Sequence, residues 1–441
     1  MGKTSQERPW WMLGTYAPVS EEITETKLSV TGSIPPELNG RFFRNGPNPR
    51  ASDSYDWFRG EGMIHGVEIK NGEPTWYRNR YVQTPVLNYD VVTPEVTSKP
   101  ENSLANTHII EHAGKFLAMH EVFPPIEVTK DLETIGSYDF DGKLERNMTA
   151  HPKFCPITGE MLMMAAGKTA PFLEYHRVSK EGKLVQSEII EVKSPSFNHD
   201  QFITENYVIF MDLPMLWNVG RLPETGIPVF FDETYGARFG VMPRKGSNAD
   251  IKWFEIDPCY IFHTMNAYEK GDEIILRAGR MVGYTAVGMS NPPVPYLHEW
   301  RLNLKTGAKS ERQLDDVGVD FPIVPPSLCG QPYRYGYVSE FALDGKPTVL
   351  GFHKYDLHNG TKTSHMLKDG RSGGEAVFIP AQDGTSEDDG YLMTYVYDPA
   401  EGKSELVIMN ANQIEEDPIA RIHLPVRVPG GFHGSWIPDA A

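Results

Sequence analysis

Four histidines, each in its own short phrase, set the hardest demand on any fold for this chain. They are His151 in Thr-Ala-His-Pro-Lys, His199 in Phe-Asn-His-Asp, His263 in Phe-His-Thr-Met-Asn-Ala and His433 in Gly-Phe-His-Gly-Ser-Trp. A zinc finger keeps its ligands on one hairpin and one helix. These four are spread over most of the chain, so they can form one site only in a large fold that gathers distant segments onto a common axis.

The punctuation of the chain says which kind of fold can do that. The 40 Gly and 35 Pro of the 441 residues are scattered throughout. Short strand-like runs recur between them: Lys27–Thr31, Phe116–Met119, Met161–Met164, Tyr207–Met211, Glu273–Leu276, Thr348–Phe352, Gly390–Tyr397 and Glu405–Met409. Asn71-Gly72, Asp141-Gly142, Glu181-Gly182, Asn359-Gly360, Asp369-Gly370, Asp389-Gly390 and Glu401-Gly402 supply the positive φ that tight hairpins require. Helical periodicity is scarce and strands do not alternate with helices, which argues against Rossmann and TIM architectures. The expectation is an all-β chain of antiparallel meanders, a seven-bladed β-propeller at roughly 60 residues a blade. No linker interrupts it, so residues 1–441 are read as one domain. Inner strands of a propeller all run beside one axis, where remote ligands can meet.

Length alone would allow two or three domains, but large all-β folds exceed that scale as single units. The net charge of −17 argues against a nucleic-acid partner, which needs a basic face for phosphates. Cys155, Cys259 and Cys329 are too few and too widely spaced for a disulfide framework or a Cys-x-x-Cys clip, and point to a reducing, cytoplasmic setting. Met1 to Pro9 is polar with no apolar run behind it, so no signal peptide is expected. No apolar run reaches the roughly 18 residues of a membrane-spanning helix.

A longer set of phrases carries a resemblance. It begins with Val30-Thr-Gly-Ser-Ile-Pro-Pro-Glu-Leu-Asn-Gly-Arg-Phe-Phe-Arg-Asn-Gly-Pro-Asn-Pro49 and Phe58-Arg-Gly-Glu-Gly-Met-Ile-His-Gly-Val67. Ala105-Asn-Thr-His108, Leu132-Glu-Thr-Ile-Gly136, Thr149-Ala-His-Pro-Lys153, Phe262-His-Thr-Met-Asn-Ala-Tyr-Glu269, Glu387-Asp-Asp-Gly-Tyr391 and Leu424-Pro-Val-Arg-Val-Pro429 follow in order. Together they resemble the carotenoid cleavage oxygenase family, which includes stilbene-cleaving dioxygenases. The resemblance implies a seven-bladed propeller capped by a dome of loops and short helices. It also implies an axial non-haem Fe(II) held by His151, His199, His263 and His433. Glu121 and Glu375 match carboxylates that orient ligand rings in the family. A third such position, often Glu, is here Asp320. Thr107 matches a threonine whose methyl crowds an open metal position.

The chemistry suits those residues. Four neutral imidazoles make a nitrogen shell for Fe(II), Zn or Cu. A carboxylate accepting the remote N–H of a ring fixes its tautomer and orientation. The activity implied is oxidative cleavage of a C=C bond of a carotenoid or apocarotenoid into two carbonyl products, with O2 as co-substrate. A stilbene or 4-vinylphenol-type alkene is the alternative. Retinoid-ester isomerisation or hydrolysis, or apolar-ligand binding without catalysis, are further readings. The stilbene branch places a lysine just before the first orienting Glu, where this chain has His120, and a tyrosine in a stretch where only Tyr89 remains. The other ten histidines, His65 among them, are read as structural. Arg44 is expected to tie loops together, and Trp10-Trp11-Met12-Leu13 to strap onto the propeller. Pro214 to Val219, Ile227 to Phe231 and Tyr284 to Leu297 are candidate dome and tunnel segments, with a transient membrane contact as one use of them.

Overall fold

A computed structural model describes residues 8–51, 57–218, 220, 228–283 and 293–439. Its regular structure is β-strand, and the helices among the described residues are short 3₁₀ turns. The strands group into seven antiparallel blades around one axis, a seven-bladed β-propeller.

Blade 2 comprises His108–His112, Lys115–Met119, Ile126–Val128 and Thr134–Ser137. Blade 3 runs from Lys153–Phe154 through Met161–Ala166 and Leu173–Val178 to Leu184–Ile189. Blade 4 holds Phe202–Ile203, Tyr207–Asp212, Ala237–Pro243 and Lys252–Ile256. Blade 5 holds Thr264–Lys270, Glu273–Arg280 and Tyr296–Asn303. Its outer edge is the first part of a long strand, Lys309–Ile323. That strand pairs with Tyr296–Asn303 through Lys309 to Gln313, then with Tyr335–Phe341 through Val319 to Ile323. It thus ends blade 5 and opens blade 6, which continues through Val349–Asp356 and Thr361–Met366. Blade 7 is Val377–Pro380, Gly390–Asp398, Lys403–Asn410 and Ala420–His423.

Blade 1 closes the ring with both ends of the chain. Gly434–Pro438 forms its inner strand and pairs with Gly40–Pro47, followed by Gly62–Lys70 and Glu73–Tyr81. A second closure joins Ser29–Gly32 to Ala420–His423 on blade 7.

Every expected strand falls on an observed one, most of them longer than the sequence suggested. Asn71 and Gly72 both have positive φ in the turn between Gly62–Lys70 and Glu73–Tyr81. Asp389-Gly390 does not make such a turn. Gly390 begins a strand, and the Asp389 carboxylate instead accepts the N–H groups of Thr385 and Ser386.

Apolar side chains fill the space between blades. Phe42, Val67, Tyr77, Met393, Leu406 and Ile422 join blades 1 and 7. Ile209, Phe239, Ala267, Leu276 and Trp300 join blades 4 and 5. Each fully buried side chain of this size contributes about 1.5–3 kcal/mol.

Every inner strand starts on the same face, and the 3₁₀ turns Trp10–Met12, Trp57–Arg59 and Pro85–Asn88 sit among the loops there. Trp10 lies edge-on to Tyr16 at 4.7 Å between ring centroids, and Trp57 packs on Phe432 at 4.6 Å. The N-terminal strap is therefore anchored next to His433. Met215–Trp217 and Val229–Phe231 form a hairpin over blade 4. Val219, Ile227 and residues 284–292 of the expected dome segments lie outside the described residues.

Candidate metal centre

The seven inner strands begin at the axis, and what stands at each start defines the site. His151 precedes the inner strand of blade 3, His199 that of blade 4, His263 that of blade 5 and His433 that of blade 1. One nitrogen from each comes within 4.8 Å of the others. Blades 2, 6 and 7 present Thr107, Asp320 and Glu375 at the same level instead of histidine.

Local sequence explains the placement of His433. An added Cβ on Gly431 would collide with Nη1 of Arg44, and one on Gly430 would lie 2.7 Å from the Tyr16 ring. Only a glycine pair lets the chain pass there before Phe432 and His433. Arg44 lies within strand Gly40–Pro47, its buried side chain against Gly431 of the loop before His433.

Three rings are backed by carboxylates. Nδ1 of His199 lies 3.3 Å from Glu121 Oε1, Nδ1 of His263 lies 3.0 Å from Asp320 Oδ1, and Nδ1 of His433 bonds Glu375 Oε1 at 3.0 Å. Asp320, one methylene shorter than Glu, still reaches its ring. The second oxygen of Glu375 fixes backbone, accepting the Gly434 N–H at 2.8 Å. Glu121 Oε1 also accepts the Ala150 N–H at 2.9 Å.

His433 Nδ1 bonds Glu375, the Nδ1 atoms of His199 and His263 lie against Glu121 and Asp320, and one nitrogen of each of the four rings meets the others at the axis. Nε2 of His199 and His263 stand 3.2 Å apart, and Nε2 of His151 is buried without a hydrogen-bond partner. Two ring nitrogens at that distance share either a proton or, with both unprotonated, a cation between them. The donor set therefore fits a metal ion. Burial, then the neighbouring rings, holds the pKa of His151 and of His199 well below 6.5, leaving those rings neutral and able to ligate. Burial also lowers His263, but Asp320 outweighs it and the net shift is upward. Burial pushes Glu121 up to about 8, against the Ala150 N–H and with help from Asp200. In Glu375 burial is outweighed by His433, and its pKa is lowered.

Backbone strain marks the same residues. Val122, next to Glu121, has φ of 60°, and Phe321, next to Asp320, has φ of 50°. A β-branched or aromatic residue in the left-handed region costs about 1–3 kcal/mol. Phe321 stands 5.1 Å from the His263 ring and 5.3 Å from that of His433. Ala105, at φ 46°, leads into Thr107. The Thr107 hydroxyl donates to Asn106 Oδ1 at 3.1 Å, and its carbonyl accepts the His433 N–H.

Asp200 is the residue sequence reasoning missed. It is buried, and Lys153 Nζ approaches its carboxylate to 2.8 Å. Its Oδ2 also accepts the Thr264 hydroxyl at 2.8 Å. One carboxylate thus links the segments carrying His151, His199 and His263. Its position directly after His199 was the only signal available. Among the other histidines, His65 pairs with Tyr77, His353 with Ser364 and Glu340, and His108, whose ring stands 5.4 Å from that of His433, bonds the Ala150 carbonyl. A polar cavity of about 740 Å³ lined by Glu37, Asn39, Asp383 and Tyr391 contains none of the metal-site residues.

Residues 16–438 match the family model described as retinal pigment epithelial membrane protein. Carotenoid 9,10(9',10')-cleavage dioxygenase 1 of Pisum sativum is 36% identical over 489 aligned positions, covering 97% of this chain and 90% of the relative. This chain belongs to the carotenoid cleavage oxygenase family. The carotenoid cleavage oxygenase of Mycobacterium tuberculosis is 34% identical, with 97% of each chain covered. Among solved members, the lignostilbene dioxygenase of Pseudomonas brassicacearum superimposes with a TM-score of 0.90 at 27% identity, covering 99% of this chain and 100% of that one. Cobalt-substituted Synechocystis apocarotenoid oxygenase gives 0.85 at 25% identity, covering 96% and 97%. The aligned length exceeds the 441 residues here, so family relatives carry segments that this member lacks.

Proposed function

We propose that the protein is a non-haem Fe(II) dioxygenase that cleaves a C=C bond of a carotenoid or apocarotenoid with O2, giving two carbonyl products. The observation that carries this reading is the inward-facing Nε2 cluster, with His199 and His263 at 3.2 Å. One ferrous ion per chain would be held by His151, His199, His263 and His433, and would supply the activation of O2. Glu121, Asp320 and Glu375 hold three of those rings in the tautomer that leaves Nε2 free. Thr107 crowds one side of the centre with its methyl. Phe197 and Phe262, 5.7 and 5.5 Å from the His199 ring, and Phe321 surround the centre with apolar surface that receives a conjugated chain and excludes water. The whole chain, 1–441, acts as one domain, in keeping with its two terminal closures. The partners are the alkene and O2, and the net charge of −17 speaks against nucleic acid. The three free cysteines are in keeping with a cytoplasmic setting. Any membrane contact would be peripheral, since no helix among the described residues is long and apolar enough to cross a bilayer.

The likeness to the lignostilbene dioxygenase structure favours a second substrate class, an aryl alkene of stilbene type. Two measurements decide. Anaerobic metal analysis should give about one iron per chain, and zinc instead of iron would overturn the oxygenase reading. Aldehyde formation from apocarotenoids and from hydroxystilbenes separates the substrate classes. His263→Ala should lose both iron and activity; full activity in that variant would remove His263 from the ligand set.

A further inference from the structure

Three of the four site histidines have a carboxylate at Nδ1, and among the described residues His151 has none. Its ring must be aimed by other means. The residue just before it, Ala150, is held by both of its backbone polar groups. The Ala150 N–H donates to Glu121 Oε1 at 2.9 Å. The Ala150 carbonyl, which belongs to the peptide unit leading into His151, meets Nδ1 of His108 at 2.9 Å.

A carbonyl oxygen can only accept, so Nδ1 of His108 carries the ring proton and Nε2 offers its lone pair. That lone pair faces the Ser435 hydroxyl at 3.2 Å. Ser435 follows His433 by two residues, on strand Gly434–Pro438. One ring thus spans from the segment of His151 to that of His433, and its centroid lies 6.0 Å and 5.4 Å from those of the two ligand rings. The backbone of His108 is fixed as well. Asn45 is fully buried, and its amide donates to the His108 carbonyl at 3.1 Å and to the Ala105 carbonyl at 2.7 Å. The Asn45 N–H donates to the His433 carbonyl at 3.0 Å, and the His433 N–H to the Thr107 carbonyl at 3.1 Å. His108 therefore stands on a base shared with His433. Asp200 links the segments of His151, His199 and His263. The link through His108, from His151 to His433, completes the circuit of four ligand segments.

We propose that His108 is a positioning residue of the metal centre, which sets the direction of the His151 ring through the Ala150 carbonyl, as a carboxylate does for each of the other three rings. This rests on the reading of the four histidines as metal ligands. The group that acts is the Nδ1–H donor. An asparagine at this position carries its amide N–H near the place of Nδ1, and a glutamine carries its own near the place of Nε2. The two amides therefore separate the Ala150 contact from the Ser435 contact.

The test uses the full chain loaded with cobalt(II), whose visible absorption reports ligand number and geometry. His108→Gln should weaken cobalt(II) binding about tenfold, read by competition with a chelator, and should change the intensity of that absorption. His108→Asn should stay within about twofold of the native affinity and keep the native spectrum. Ser435→Ala, which leaves the Ala150 contact in place, should also keep the native spectrum. Native affinity and spectrum in His108→Gln, or equal losses in His108→Gln and His108→Asn, would overturn the proposal. A lowered denaturation midpoint with affinity and spectrum unchanged would make His108 a packing residue and refute it too. If the native chain binds no cobalt, the ligand reading fails, and hydrogen exchange in the metal-free protein decides the positioning separately. Residues 149–153 should exchange about tenfold faster in His108→Gln than in the native chain, and at the native rate in His108→Asn. Equal exchange in all three would refute the proposal.

Discussion

The carboxylates behind the histidines differ in what they hold, and that sets what each substitution should do. Asp320 contacts the His263 ring and little else of the site. Asp320→Asn should preserve the fold and weaken iron binding by about 10–100-fold, read by competition with a chelator. Asp200 holds Lys153 and the Thr264 N–H and hydroxyl together. Asp200→Ala leaves those groups unmatched next to three ligand segments and should cost about 3 kcal/mol, measured by denaturant unfolding. The difference was only partly legible in the sequence. Glu121, Asp320 and Glu375 stand in recognisable phrases. The role of Asp200 depends on Lys153 and Thr264 arriving from other blades, and nothing local announces it. The strain at Val122 and Phe321 was equally hidden, because neither residue type suggests a left-handed backbone.

At the scale of elements, turn pairs and strand patterns gave most of the blades because hairpins are local. Asn71-Gly72 reports a turn wherever it occurs, whereas Asp389-Gly390 shows that the pair alone is not sufficient once a neighbouring loop uses the Asp as an acceptor. The strand Lys309–Ile323 is the element the sequence concealed. Its two ends pair with different blades, and this long-range exchange leaves no periodic mark. Gly318 sits at the changeover, opposite Tyr296. A Cβ there would strike Val294 and come within 3.3 Å of Leu343. Gly318→Val should therefore destabilise by about 1–3 kcal/mol. A lowered denaturation midpoint with an unchanged m-value would show that both blades still unfold together.

At the scale of the molecule, the pH response follows from charge pairs spread around the ring. The pKa values of Glu68, Glu160, Glu299 and Asp388 are lowered from their ordinary 4.5 and 3.8. In each, burial pushes upward and is outweighed by hydrogen bonds and nearby cations. These are Thr75 and Lys70 for Glu68, Arg177 for Glu160, Arg277 for Glu299 and Lys354 for Asp388. A depressed folded-state pKa contributes stability that is complete above the unfolded value and is lost as pH falls through the folded one. These carboxylates hold their contribution from pH 7 to about 5, but the buried rings of His151 and His199, kept neutral in the fold, add a loss that begins as pH falls through about 6.5, so unfolding free energy should decline below about pH 6.5 and more steeply below about 4.5. A stability that rose on acidification would contradict these pairings.

The closure of blade 1 has a consequence for how the protein is made. Gly40–Pro47 is among the first propeller strands synthesised, and its partner Gly434–Pro438 is the last. Through that interval the inner edge of an early strand has no neighbour, and such open edges invite pairing with another chain. His433 immediately precedes the sealing strand, so the fourth histidine of the proposed ligand set arrives with the seal itself. On the proposed ligand set, a nascent chain holds three of the four histidines and an incomplete ring, so full-strength metal binding would require the finished propeller.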